Sequence, residues 1–434
     1  MENFFKIKER GSTVNREIIG GITTFLAMSY ILAVNPGMLG GIPGMSFGGV
    51  FTATAISAAI ATLCMAFIAN LPVALASGMG LNAFFTYTVC GSMGCSPWYA
   101  LTAVLLEGIL FVVLSVCGVR EAIIKSIPNT MKKAVAVGIG LFIALIGLNN
   151  AGIVTSANGT IIGFNSFDKD HLSAIVAIIG LVITIVLYIL KIPGAILIGI
   201  VATTIIGIPF GVTKIPENFS PVSLPEKPFL FKFEWKGILS LKFFGVFFTF
   251  LFTDIFDTIG TLLGVAEQGN LKDEDGNVKN CKGALLADSI GTIVGACLGT
   301  STVTSFVESS SGVAAGARTG LASVVTSAFF LLALFFTPLF ALVPSCATAP
   351  ALIFVGFLMM QAVSSIDFTD LTEGIPAFIT ILVMPFGYSI SKGIAFGIIA
   401  YVIAKIAGRK IKDIPVVTWI LAVVFIFALA IKAI

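Results

Sequence analysis

Four side chains that carry charge or an amide stand inside apolar runs, where a bare polar group is costly, and they define the chemistry open to this chain. Asp254 and Asp257, in FFTFLFTDIFDTIGTLLGV, are three residues apart, which on a helix puts them on one face beside Thr253, Thr258 and Thr261. That face must look into protein. Glu308 is the single acid of TSTVTSFVESSSGVAAGARTG (300–320) and precedes SSSG, where extended chain should turn helical. Its carboxylate can accept ring N–H donors from a ligand while free backbone N–H groups beyond it meet ligand carbonyl oxygens, and Ser309 at the join can bind or cap. Asn82, in GMGLNAFF, offers both a donor and an acceptor to a heteroaromatic edge, and Gly78 and Gly80 let backbone approach a flat ligand. Phe84, Phe85 and Phe256 are candidates to stack on its ring.

Other chemistries lack their parts. His171 is the sole histidine, placed in a solvated loop beside Asp168 and Asp170, and there is no cysteine cluster, nucleophile elbow or phosphate loop. No catalytic residue, cofactor or metal is expected. Glu107 and Asp288 read as helix-pairing groups ahead of proton relays, and Arg318 as a side chain reaching to the membrane interface. A rival reading makes Asp254-x-x-Asp257 the Mg²⁺ and prenyl-diphosphate site of an intramembrane enzyme, but this needs a second acidic cluster and several cations, and only Arg318 is at hand. A second rival, an anion transporter or channel, sits badly with three acids at the site.

The elements that must position these groups are membrane helices. The chain has 434 residues, of which 57% are hydrophobic and 11% charged, with mean hydropathy +1.06, against roughly 25% charged in an ordinary soluble protein. A soluble globule is excluded, and the net charge of +3 gives no basic patch for a nucleic-acid partner. The seven cysteines are scattered without a framework and are expected to be free. Apolar runs predict spans at 17–36, 47–69, 72–90, 97–118, 131–150, 171–190, 193–212, 240–265, 281–299, 303–316, 319–342, 347–366, 372–388, 391–407 and 414–433. The N-terminus lacks a signal-peptide pattern, so the first crossing is expected to be retained. Lys6, Lys8, Arg10 and Arg16, then Arg120, Lys125, Lys132 and Lys133, then Lys272, Lys279 and Lys282, then Arg409, Lys410 and Lys412 fall on one side, which the positive-inside rule makes cytoplasmic. Residues 213–239, with four prolines, divide the chain into halves. The third span of each half, 71–90 and 300–320, is short and interrupted, running extended before it turns helical. Paired interruptions at matching positions mark a transporter site near the bilayer midplane.

The segments REIIGGITTFLAMSYILAVNP, ALASGMGLNAFFTYTV, FLFTDIFDTIGTLLGVAEQ and TSFVESSSGVAAGARTGLASVV resemble the AzgA-like purine permeases, the hypoxanthine/guanine/adenine permeases of the nucleobase–ascorbate transporter superfamily, over residues 10–410. The resemblance implies an all-α polytopic membrane protein of about fourteen transmembrane helices in an inverted seven-plus-seven repeat, with short strands before half-helices 3 and 10. It implies a core domain in 17–120 (helices 1–4) and 240–342 (helices 8–11), and a gate domain in 131–212 (helices 5–7) and 347–407 (helices 12–14). Residues 1–16 would then be a cytoplasmic N-terminus, 213–239 an extracellular linker and 414–433 an extra hydrophobic helix. The implied activity is proton-coupled import of a purine base across the plasma membrane by alternating access, with homodimerisation left open. Carried over residue by residue, the purine contacts are Asn82, Asp254, Asp257 and Glu308, with Gly80, Phe256 and Ser309 beside them. Where the uracil and xanthine branches often place His or Asp after the IG pair, this chain has Thr261. Glu308 is then the first choice of proton carrier and the Asp254/Asp257 pair the second.

Overall fold

The first apolar run folds as two helices, α1 (Val14–Met28) and α2 (Ile31–Leu39), broken at Ser29 and Tyr30. This is seen in a computed structural model that describes residues 2–118, 128–155, 162–165, 167, 171–217, 219–271 and 278–430; Arg120, Lys125, Asp168, Asp170 and Lys272 lie outside the described residues. Ser46 starts α3 (Phe47–Cys64) by taking the N–H of Gly49 on its hydroxyl, the usual way a serine satisfies a first-turn donor. The first interrupted span follows as strand β1 (Leu75–Ser77) and helix α4 (Met79–Ala83), which runs on as a π-helical stretch over Phe84–Ser92. Next come α5 (Pro97–Val116), α6 (Asn129–Asn150), the paired two-residue strands β2 (Val154–Thr155) and β3 (Gly163–Phe164), α7 (Leu172–Ile189) and α8 (Ala195–Ile206). The second half repeats the order: α9 (Leu241–Gln268), α10 (Cys281–Leu298), strand β4 (Val303–Ser305), α11 (Ser309–Ala314), α12 (Gly320–Ala333), α13 (Ser345–Met360), α14 (Leu371–Phe386) and α15 (Ile390–Ala407). A last helix, α16 (Val416–Ala430), packs on α15 and sets the Phe425 ring against Phe252 of α9, tilted at 58°.

Ten helical runs among the described residues are long and apolar enough to cross a bilayer. With the two strand-plus-helix spans and the shorter apolar helices α8 and α14, the described residues give fourteen membrane segments before the further short apolar helix α16, in an all-α membrane protein of two inverted halves. Two groups of helices result. The first joins α1, α3, α5, α10, α11 and α12, while the second joins α6, α7, α8, α13, α14 and α15, with α9 touching both.

The two interrupted spans meet. β1 pairs antiparallel with β4 in the register Leu75↔Ser305, Ala76↔Thr304 and Ser77↔Val303, so each strand satisfies backbone groups that lipid could not. Close approach of small residues seats the second half-helix: a Cβ on Gly312 of α11 would lie 2.1 Å from Thr24 Oγ1 and 2.4 Å from the Gly20 carbonyl of α1. The linker docks on one end of the first group, where Phe229 and Phe231 N–H donate to Leu298 and Cys297 carbonyls at 2.9 Å, and the N-cap hydroxyls of Ser46 and Ser96 donate to Glu226 and Glu234. The N-terminal segment docks on other turns, through Arg10 Nη1 to the Asn70 carbonyl at 2.5 Å and through Glu17, whose carboxylate accepts the N–H groups of Arg318 and Thr319. The Arg318 guanidinium donates to the Val313 and Ala317 carbonyls at 2.6 and 2.7 Å and closes the end of α11. The seven cysteines are free, and His171 stands half-buried at the head of α7.

Outside the membrane-crossing segments, the Lys410 ammonium donates to Asp370 at 2.6 Å, and this bond, together with Thr372, holds the Asp370 carboxyl well below the usual carboxylate range.

Candidate functional site

The break between α1 and α2 is what brings the first half to Glu308. Tyr30 at that break is buried and donates its hydroxyl to Glu308 Oε1 at 2.5 Å, across 278 residues of sequence. Glu308 is 7% exposed, and it lies on the wall of a cavity of about 540 Å³ between the two helix groups. On one side the wall is made by Tyr30, by Gly78, Met79 and Gly80 at the head of α4, by Phe256, Asp257, Gly260 and Thr261 of α9, and by Thr304 to Glu308. On the other it is made by α6 and α13, from Ile143 and Val355 down to Lys132, Lys133 and Ser365.

Local structure explains which groups face inward. Gly80 is required where α4 meets α6, because a Cβ there would lie 2.9 Å from Ile139 Cγ2. The first turn of α4 has no side-chain cap, so the N–H groups of Met79 and Gly80 stand at the cavity wall as donors without partners from their own helix. At α11 the situation differs from the sequence expectation: the N–H groups of Ser309, Ser310 and Ser311 are taken by the Phe306, Val307 and Glu308 carbonyls at 2.9–3.1 Å. The uncapped backbone donors at the cavity wall are therefore those at the head of α4 and not those beyond the acid.

Of the site residues named from sequence, Gly78, Gly80, Phe256, Asp257, Thr261 and Glu308 line the cavity, whereas Phe84 and Phe85 pack on Phe250 away from it. Asp254, Asn82 and Ser309 are fully buried behind its wall. Asp254 and Asp288 both contact Thr258 Oγ1, at 3.1 and 2.9 Å, and that hydroxyl also pairs with Thr304 Oγ1 at 2.8 Å, so two acids are tied to β4 through one threonine. Asn82 turns back to accept the Ser77 hydroxyl at 2.7 Å, and Ser77 in turn accepts from Thr300. Ser309 accepts the Ala74 N–H at 3.0 Å and so joins α11 to the start of β1. Glu107 accepts from Thr302 at 2.8 Å, one residue before β4. These groups form a hydrogen-bonded polar scaffold around the strand pair.

Tyr30 and Ser305 are among the cavity residues not singled out from sequence. Tyr30 looks in SYILAVNP like any packing aromatic, and nothing local shows that it meets Glu308. Ser305 is 3% exposed, lines the cavity, and its buried hydroxyl has no hydrogen-bond partner among the described residues. No group of three or more His, Cys, Asp or Glu fit to hold a metal occurs among the described residues.

A cavity between the two helix groups, walled where the paired strands meet the half-helices, defines the class: a secondary-transporter fold with core and gate domains. The transmembrane domain of the cyanobacterial bicarbonate transporter BicA superposes with a TM-score of 0.62 at 14% identity, covering 88% of this chain and 97% of that one. The murine Solute Carrier 26 family member A9 anion transporter in its inward-facing state gives 0.64 at 14%, over 91% and 68% of the two chains. These likenesses establish the fold. Residues 15–396 match the Permease family. Among relatives, the guanine/hypoxanthine permease PbuG of Bacillus subtilis is 43% identical over 98% of both chains. The adenine permease AdeP of Escherichia coli is 40% identical over 98% of this chain and 95% of its own. The guanine/hypoxanthine permease PbuO of Bacillus subtilis is 41% identical over 98% and 99%. The chain belongs to the Permease family, in its guanine/hypoxanthine and adenine permease branch, and is a multi-pass membrane permease rather than an enzyme.

Proposed function

We propose that this permease imports purine nucleobases across the plasma membrane by proton symport, with Glu308 as the group that reads the base and carries the proton. The observation that supports this most is Glu308 itself, an acid at the wall of a cavity between the two helix groups, held in place by Tyr30 and sharing that wall with the uncapped N-terminus of α4. A 6-oxopurine carries an N–H beside its carbonyl. Glu308 suits the first and the α4 N–H groups suit the second, with Ser305 and Asp257 beside them and Phe256 at the ring. Symport requires that base and proton each favour the same conformational state, so that the site crosses loaded with both, and a buried acid that meets the base links the two. Alternating access follows if the unit of 17–120 and 240–342 carries the site past the unit of 131–212 and 347–407. With the N-terminus and the basic loops cytoplasmic, the cavity opens inward at Lys132 and Lys133.

Asp254 and Asn82, in this reading, act by holding β4 and β1 in register, and Asp257 joins Glu308 in proton coupling. The test is Glu308→Gln beside Glu308→Asp. The amide should abolish uptake of labelled hypoxanthine without loss of membrane insertion, and Asp should retain part of it. Wild-type uptake with unchanged pH dependence in Glu308→Gln removes Glu308 from both roles.

A further inference from the structure

The cavity changes chemistry at its mouth. There the wall is formed by Asn129, Lys132 and Lys133 in the first turn of α6 and by Ser365 beyond α13. Lys132 Nζ donates to Asn129 Oδ1 at 3.2 Å and Lys133 Nζ to the Ser365 carbonyl at 2.8 Å, so each ammonium keeps two of its three protons for another acceptor. Among the described residues neither pairs with a carboxylate. Lysines in a first helical turn also stand against the helix dipole, so they do not serve α6 itself. The positive-inside rule accounts for basic residues on this side of the membrane but not for two ammonium groups lining one cavity with an acid at its other end.

The spacing fits a particular ligand. Ile139 marks the level of Gly80 on α6, and Lys132 lies seven residues, two turns or about 10 Å, back along the helix axis. If Glu308 takes the N1–H and 2-amino edge of a 6-oxopurine, the N9 position lies on the far edge, toward the mouth. We propose that the cavity also takes a purine nucleoside 5′-monophosphate, with its base at Glu308 and its phosphate on Lys132 and Lys133. Such a ligand enters from the mouth, bridges the two helix groups through its sugar and competes with the free base while holding the cavity open on that side. The intracellular nucleotide level would thereby restrain uptake of its own base. This inference rests on the base reading proposed above.

The experiment is displacement of labelled guanine from the purified full-length protein in detergent, where both faces are accessible. The competitors are guanosine 5′-monophosphate, guanosine and inorganic phosphate. The monophosphate should displace guanine at roughly ten-fold or more lower concentration than guanosine, the gain expected of hydrogen bonds to a charged group, and phosphate alone should displace none. In Lys132→Gln/Lys133→Gln the monophosphate should fall to the level of guanosine with guanine affinity unchanged, and in Lys132→Arg/Lys133→Arg it should keep its advantage. The proposal is overturned if the monophosphate competes no better than guanosine, if phosphate alone displaces guanine, or if the Gln variant weakens guanine and monophosphate alike. Failure of the wild-type protein to bind guanine would remove the base reading and this inference with it. Guanine binding without an advantage for the monophosphate removes this inference alone.

Discussion

Replacing Tyr30 by Phe deletes one oxygen from the centre of the site. The ring would keep its packing beside Phe306, 6.5 Å away between centroids, so the fold should survive. What is lost is a 2.5 Å donation to a carboxylate that is only 7% exposed. A hydrogen bond to a charged group contributes about 1.5–3 kcal/mol, and 1.4 kcal/mol is about a factor of ten in an equilibrium. If Tyr30 sets Glu308 in its base-binding orientation, kcat/KM for hypoxanthine uptake should fall at least roughly ten-fold, mainly through KM. If Glu308 also carries the proton, the changed hydrogen bond should alter the pH profile of uptake. The assay is the initial rate of labelled hypoxanthine entry into membrane vesicles across a pH series, normalised to protein in the membrane. Wild-type kcat/KM together with a wild-type pH profile in Tyr30→Phe would refute the role given to the Tyr30–Glu308 pair.

Two further outcomes follow from the same geometry. Ser309→Ala leaves the buried Ala74 N–H without its acceptor, at a cost of about 1–3 kcal/mol, so thermal unfolding in detergent should move to lower temperature and uptake should fall with it; an unchanged melting temperature would deny that this bond joins the half-helix to β1. Unlabelled guanine and hypoxanthine should compete for uptake roughly ten-fold better than adenine, because adenine sets an amino donor against the Met79 and Gly80 N–H groups; equal competition by adenine would mean that the base is turned otherwise in the site.

Much of this was legible in the sequence because lipid imposes strict conditions on backbone and charge. Apolar runs gave helices with ends within a few residues of the observed ones, and the interrupted stretches 71–90 and 300–320 became strand and half-helix. Finer matters depended on the third dimension. Asp254 and Asp257 share a face in the sense of three-residue spacing, yet about 60° of rotation still separates them, enough for Asp257 to line the cavity while Asp254 turns to Thr258 and β4. The run at 17–36 gave no sign of the break at Ser29 and Tyr30, since neither Gly nor Pro stands there. A three-residue strand does not name its partner, so the pairing of β1 with β4 across the two halves was beyond periodicity. The SSSG segment read as a free half-helix N-terminus, but three preceding carbonyls fold back on its N–H groups, a local turn that residue types alone do not reveal.

Uptake of labelled hypoxanthine by intact cells or vesicles carrying this chain, with and without a protonophore, tests purine import by proton symport most directly. Uptake should exceed that of vesicles lacking the chain, rise with an inward proton gradient and collapse to passive equilibration when the protonophore is added. Uptake that is concentrative and indifferent to the protonophore would contradict proton coupling, and no hypoxanthine, guanine or adenine uptake above the control would contradict the purine reading itself.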